Sequence, residues 1–176
     1  MSTAPDGLEL LRIAGSMARF GGWAVDRETG SLELSAEARG IFGLPPSGTL
    51  DFDAVFALHP EEWRPIVAAH LERCLTHGES FDLESPMRTT EGALLTIRTI
   101  GKAARDDQGR ILRAHGAVWD VTAVARERER ARELEKRLEL TLTTITDGVF
   151  FLDHDGRYTF VNPRGAQMVR RVPDDL

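Results

Sequence analysis

Apolar residues at Leu10, Ile13, Ala14 and Met17 recur at helical spacing, which predicts an amphipathic helix over residues 1–19, ended by Gly21-Gly22. Trp23-Ala24-Val25 reads as a short strand. Asp26 to Gly30 is a turn in which the aspartate holds the bend and the glycine takes positive φ. Leu32 and Leu34 alternate with polar residues and predict a second strand paired to the first. Ser35 opens a short helix that runs to Ile41-Phe42 and stops at Gly43 and Pro45-Pro46. Another short helix covers 51–58, with Phe52, Val55, Phe56 and Leu58. A longer one starts at His59-Pro60-Glu61-Glu62, presents Trp63, Ile66, Val67 and Leu71 to the core, and ends at His77-Gly78. From Phe81 the pattern changes to strict alternation. Phe81, Leu83, Ser85 and Met87 share one face of a strand; Thr89 to Gly92 is a hairpin turn; strands follow over 93–104 and 110–121, joined at Asp106 to Gly109. Two strands, several short helices and three more strands predict an α+β fold with an antiparallel sheet.

The last strand, Gly116 to Val121, runs directly into a charged helix over 123–146. Val124, Ala131, Leu134, Leu138, Thr141 and Ile145 form a short heptad stripe, interrupted where Glu127 takes an apolar place. Pairs such as Glu129–Arg132 and Glu133–Lys136 lie three residues apart on its surface. An isolated helix of this length is marginal in water, so a coiled-coil partner is expected. Asp120 is placed to cap the helix start and to pair with Arg126. Asp120, Thr122 and Arg126 are therefore the expected coupling residues between strand and helix.

Composition narrows the class. The 176 residues carry a net charge of -6, which argues against nucleic acid and anionic membranes as partners. The single cysteine, Cys74, forbids an intramolecular disulfide and fits a cytoplasmic location. No apolar run reaches the roughly 20 residues of a membrane span, and the first residues lack the features of a secretory signal. The expectation is no membrane segment within this stretch.

The chain repeats itself. Gly22-Trp-Ala-Val-Asp26, Gly30 and Leu34-Ser35 recur as Gly148-Val-Phe-Phe-Leu-Asp153, Gly156 and Val161-Asn162: apolar strand, Asp/Gly turn, second strand, helix cap. Gly21-Gly22-Trp23, His59-Pro60-Glu61-Glu62, Gly92, Asp106-Asp107-Gln108-Gly109-Arg110 and Gly116 to Thr122 stand in the order of a sensory-domain pattern. With the second copy, nearly all of residues 20–176 resembles the PAS family. The resemblance implies a five-stranded antiparallel sheet with short helices on one face, flanked by an N-terminal helix and a C-terminal coiled-coil helix. The domain organisation it implies is a helix over 1–19, a PAS domain over 20–122, a signalling helix over 123–146 and the incomplete start of a second PAS domain over 147–176. One departure is that Leu95-Thr96 stand where the family often has Arg-Trp.

The same resemblance bears on the ligand class. Flavin-photochemical members carry Asn-Cys-Arg-Phe in a helix and a glutamine two residues after the last-strand glycine. Here Cys74 lies in a different helix and the glutamine position is Val118. Haem-binding members place a histidine where this chain has Val67, one turn before His70. Asp153-His154-Asp155 falls in a hairpin tip and reads as a turn rather than a metal site. The cofactor is therefore unknown, with none expected, flavin disfavoured and haem not expected. Phosphate-loop, zinc-helix, nucleophile-elbow and phosphoacceptor-histidine motifs are missing, so no catalytic residue is assigned. A candidate pocket for a small apolar ligand comprises Trp23, Phe42, Phe56, Trp63, Val67, Leu95, Ile97 and Val118. Trp119 faces outward and needs cover, so Leu10, Ile13, Met17, Trp119, Leu134 and Leu138 form the expected homodimer surface. The implied function is a regulatory module of a bacterial histidine kinase or diguanylate cyclase. The alternative is a dimerisation platform that binds no ligand.

Overall fold

The computed structural model describes residues 20–144 and 147–169. The expected N-terminal helix, with Leu10, Ile13 and Met17, lies outside them, as does Ile145. The chain divides into two compact units, Met1–Ala125 and Arg126–Leu176.

In the first unit, β1 (Phe20–Asp26) and β2 (Leu32–Leu34) form a hairpin closed by the Asp26 turn. Asp26 Oδ1 accepts from Thr29 N at 2.8 Å, Thr29 Oγ1 at 2.9 Å and Glu28 N at 3.0 Å, and these bonds hold its carboxyl below the usual carboxylate range. Helix α1 (Ala36–Phe42) starts where Ser35 Oγ accepts from Ala38 N and stops at Gly43, whose φ of 74° turns the chain out of the helix. Helix α2 (Phe52–Phe56) follows, then a 3-10 turn (Glu61–Trp63) and helix α3 (Arg64–His77). Strands β3 (Phe81–Arg88), β4 (Leu94–Arg105) and β5 (Ile111–Asp120) complete a sheet of order β2-β1-β5-β4-β3, antiparallel throughout. Beginning and ending strands thus meet at the centre, which puts the exit of β5 beside the entrance of β1. The core between sheet and helices is built on Ala38, Ile41, Phe42, Val55, Met87, Ile97 and Val118.

Two expectations about the long helix need correction. Its first turn is 3-10, with tighter winding, so Trp63 is out of phase with Val67 and Leu71. Ile66 is 41% exposed rather than core, and Cys74 is the fully buried residue of α3.

Helix α4 (Thr122–Thr144) leaves the sheet at Val121. In the second unit, β6 (Phe150–Leu152) and β7 (Tyr158–Val161) form a hairpin, and α5 (Pro163–Val169) follows. The bond that ties the end of the hairpin back to its first strand recurs in both units, while the turns differ, Gly30 N donating to Asp26 O four residues back and Gly156 N to Asp153 O three back. Ser35 N donates to Gly22 O and Asn162 N to Val149 O, so the structural repeat pairs Gly22 with Val149, one place from the sequence-based match with Gly148.

Candidate functional site

Two features stand out: a cavity inside the first unit and the junction from which α4 departs.

A row of paired residues crosses the sheet: Trp23 opposite Gly116, Gly116 opposite Gly101, and Gly101 opposite Phe81. The two glycines leave room for the rings from the outer strands, which stack at 5.9 Å between centroids. A Cβ on Gly101 would lie 2.3 Å from Phe81 Cε1, and one on Gly116 would lie 1.8 Å from Ile100 O. His70 meets Phe81 edge-on at 5.9 Å. The indole N–H of Trp23 is buried with no acceptor among the described residues.

Beside this row lies a cavity of about 100 Å³. Of the expected pocket residues, Trp23, Phe42, Phe56, Val67, Ile97 and Val118 line it. Trp63 and Leu95 do not. The 3-10 turn displaces Trp63, and Leu95 pairs with Met87 one row nearer the hairpin tip, where it packs against the core. His59, Ser85 and Thr99 add polar groups to a wall that otherwise is apolar. His59 is 7% exposed; its Nδ1 lies 3.0 Å from Pro86 O, and Arg64 Nε donates to its carbonyl at 3.0 Å. Burial holds the imidazole pKa below its ordinary value, Arg64 lowers it further, and the Pro86 bond opposes both. Sequence reasoning placed His59 at a helix start and missed its place in the wall. The signal was its position in the His-Pro motif.

Cys74 is fully buried and lies outside the cavity lining; burial raises its thiol pKa. His70 Nδ1 is 2.8 Å from the carbonyl of Ile66, one turn back in the same helix. No cluster of metal-ligating side chains occurs among the described residues, and Asp153 Oδ1 accepts from Asp155 N and Arg157 N as a turn residue.

At the junction, Asp120 Oδ1 accepts from Thr122 N at 3.0 Å. Val121 N donates to Thr96 O at 2.9 Å, and Thr96 N donates to Thr122 Oγ1 at 2.9 Å. Both backbone groups of Thr96, at the start of β4, are thereby tied to the first residues beyond β5. Sequence reasoning named Asp120 and Thr122 but missed Thr96, because its contribution is backbone and leaves no mark in residue type. Arg126 is exposed on α4, as are Leu134 and Leu138. Trp119 is half-buried against Phe20, with centroids 6.0 Å apart.

This sheet order and helix arrangement can be set against known proteins. A sequence model of the PAS fold matches residues 31–118, half of the chain. A blue-light-activated histidine kinase of Brucella anthropi is 31% identical over 122 residues, covering 69% of this chain and 23% of that protein. The chain thus spans about a quarter of the length of that relative. The crystal structure of a sensory box histidine kinase/response regulator from Burkholderia thailandensis superposes with a TM-score of 0.61 at 26% identity, covering 74% of this chain and 98% of that one. The N-terminal domain of a diguanylate cyclase with PAS/PAC sensor from Marinobacter aquaeolei shares the fold, with a TM-score of 0.55 at 16% identity, covering 60% and 98%. The Brucella relative is named for blue-light activation, so the expectation that flavin is disfavoured finds no support there. No helix among the described residues is long and apolar enough to cross a membrane. The sheet, the helices on one face and the family match agree: the chain belongs to the PAS fold family and is a signal-transduction sensory module.

Proposed function

We propose that this module changes the setting of its central strands when its cavity or its surface is occupied, and passes that change to α4 through Asp120, Val121 and Thr122. The observation that carries the reading is the double tie of Thr96 to Val121 and Thr122. A shift of β4 against β5 cannot leave the start of α4 in place without breaking one of those bonds. Arg126, one turn along α4, is assigned as a further partner of this junction. The output is a histidine kinase or diguanylate cyclase activity in the rest of the protein, and this stretch itself is assigned no catalysis. The working form is a homodimer through the N-terminal helix and α4; the exposure of Leu134 and Leu138, at 70% and 58%, supports it. In the full-length protein, Asp120→Ala should fold normally while its output loses its response to the signal. A normal response in that variant would refute the coupling.

The occupant that fits the cavity best is small, neutral and largely apolar. At about 100 Å³ the space falls below the roughly 300 Å³ lower end of ordinary ligand pockets, so a flavin would require the helices to move apart. Flavin is nevertheless the second reading, favoured by the name of the Brucella relative. The small cavity and the exposed stripe of α4 also support a third use, as a dimerisation platform without ligand. Visible absorbance and native mass spectrometry of freshly purified protein separate the three. A flavin spectrum selects the second, a bound small molecule the first, and a clean apo dimer the third.

A further inference from the structure

Ser35 and Asn162 hold equivalent places in the two units, with one chemical difference. Ser35 Oγ accepts from Gly22 N at 3.1 Å and from Ala38 N at 3.2 Å. Asn162 Oδ1 accepts from Val149 N at 3.0 Å and from Gly165 N at 2.7 Å. A hydroxyl is enough for that task, since Ser35 performs it. The carboxamide of Asn162 adds two N–H donors. Both go to the chain that leads into β6: Nδ2 donates to Leu142 O at 3.0 Å and to Asp147 O at 2.9 Å.

The side chain is fully buried, and all four positions of its amide are used. Exchanging its oxygen and nitrogen would set donor against donor at two contacts and acceptor against acceptor at the other two, so the partners dictate its orientation. The carbonyl of Leu142 belongs to the last turn of α4, where an α-helix leaves its carbonyls without partners of its own. The neighbours leave little slack. A Cβ on Gly148 would lie 3.1 Å from Gly165 Cα, and one on Gly165 would lie 3.0 Å from Asn162 Oδ1.

We propose that Asn162 is the positioning residue through which the second module takes up the setting of α4. One side of its amide holds the last helical turn and the approach to β6. The other holds the start of β6 and of α5. A displacement of the α4 terminus is thereby handed to the hairpin by a single side chain. Ser35 makes the same caps in the first unit with a hydroxyl alone. The proposal rests on the reading of α4 as the signalling helix, and its first test is independent of that reading.

Asn162 is the only asparagine in the chain, and Gln108 and Gln167 are the only other carboxamides, so its side-chain NMR signals are unambiguous. In the 176-residue chain its amide protons should exchange with solvent at least ~10-fold more slowly than those of the two glutamines. Equal rates would overturn the tether whatever Asp120→Ala does to output. A second measurement tests the mechanical role. Spin labels on K136C and R157C report the distance between α4 and the hairpin tip, both positions being exposed and the native Cys74 buried. Asn162→Ser keeps the two caps and loses the two donors, so the hairpin should persist while the distance distribution broadens. A distribution as narrow as the parent's would show that the carboxamide does not hold the helix. If Asn162→Ser fails to fold, exchange in the parent chain decides.

Discussion

Replacing Thr122 by valine keeps its branched shape and removes the hydroxyl to which Thr96 N donates. A half-buried N–H is then left without a partner, and the expected loss is about 1–2 kcal/mol, read as a lower urea midpoint at unchanged slope. A variant as stable as the parent would mean that water replaces the hydroxyl at no cost. His59 makes a different prediction. Its folded pKa is depressed, chiefly by burial, so the folded state resists a proton that the unfolded chain accepts. Above the ordinary histidine value of about 6.5 both states are neutral, and the contribution is fully present. Below it, stability should fall with pH until the folded pKa is passed. His59→Gln should flatten the curve in that window, and an unchanged slope would assign the loss to other groups. Asp26, Asp82 and Asp106 are also shifted down, by hydrogen bonds to Thr29, Arg98 and Arg110, and therefore act at more acid pH.

The sheet explains its own glycines. Within a strand, glycine costs backbone entropy and offers no side chain, which by itself would weaken β4 at Gly101 and β5 at Gly116. In register they form the floor on which Trp23 and Phe81 meet. Gly116→Ala should cost about 1–3 kcal/mol, because the new methyl collides with the carbonyl of Ile100 and the backbone must shift. Gly22→Ala is the control, since its nearest neighbour would be 3.9 Å away. Similar losses for both would show that backbone entropy rather than contact decides. Helix α3 shows the converse error. Its apolar spacing was legible from Trp63 onward, but Trp63 falls in the 3-10 opening, and Ile66, within the α-helix itself, is 41% exposed.

Across the chain as a whole, the apolar side chains of α4 stand out. Leu134, Leu138 and Leu140 are each more than half exposed, on a helix otherwise dominated by charge. The ion pairs Arg130–Glu127 and Arg132–Glu129 on its surface are exposed and contribute little. The dimer reading predicts that L134E with L138E will convert a dimer to a monomer in native mass spectrometry while leaving the first unit folded. A doubly substituted chain that stays dimeric would move the interface elsewhere.

Alternation of apolar and polar residues, the turn chemistry of Asp26 and Asp106, and the caps at Ser35 and Gly43 are local properties. They were enough to give the strands, the short helices, the fold class and the repeat of the opening hairpin. Asp120 is local in the same sense, its carboxylate accepting from Thr122 N two residues on, whereas the Thr122 hydroxyl accepts from Thr96 N, 26 residues away. Three things depended on partners distant in the chain. Thr96 joins the junction through backbone groups that no residue type announces. His59 enters the cavity wall because Pro86, 27 residues away, accepts its ring nitrogen. Asn162 looked like a simple helix cap, and its tie to Leu142 exists only because the hairpin folds back on the end of α4. Local pattern decides which element forms; which buried polar group finds which partner is decided by the packing that brings them together.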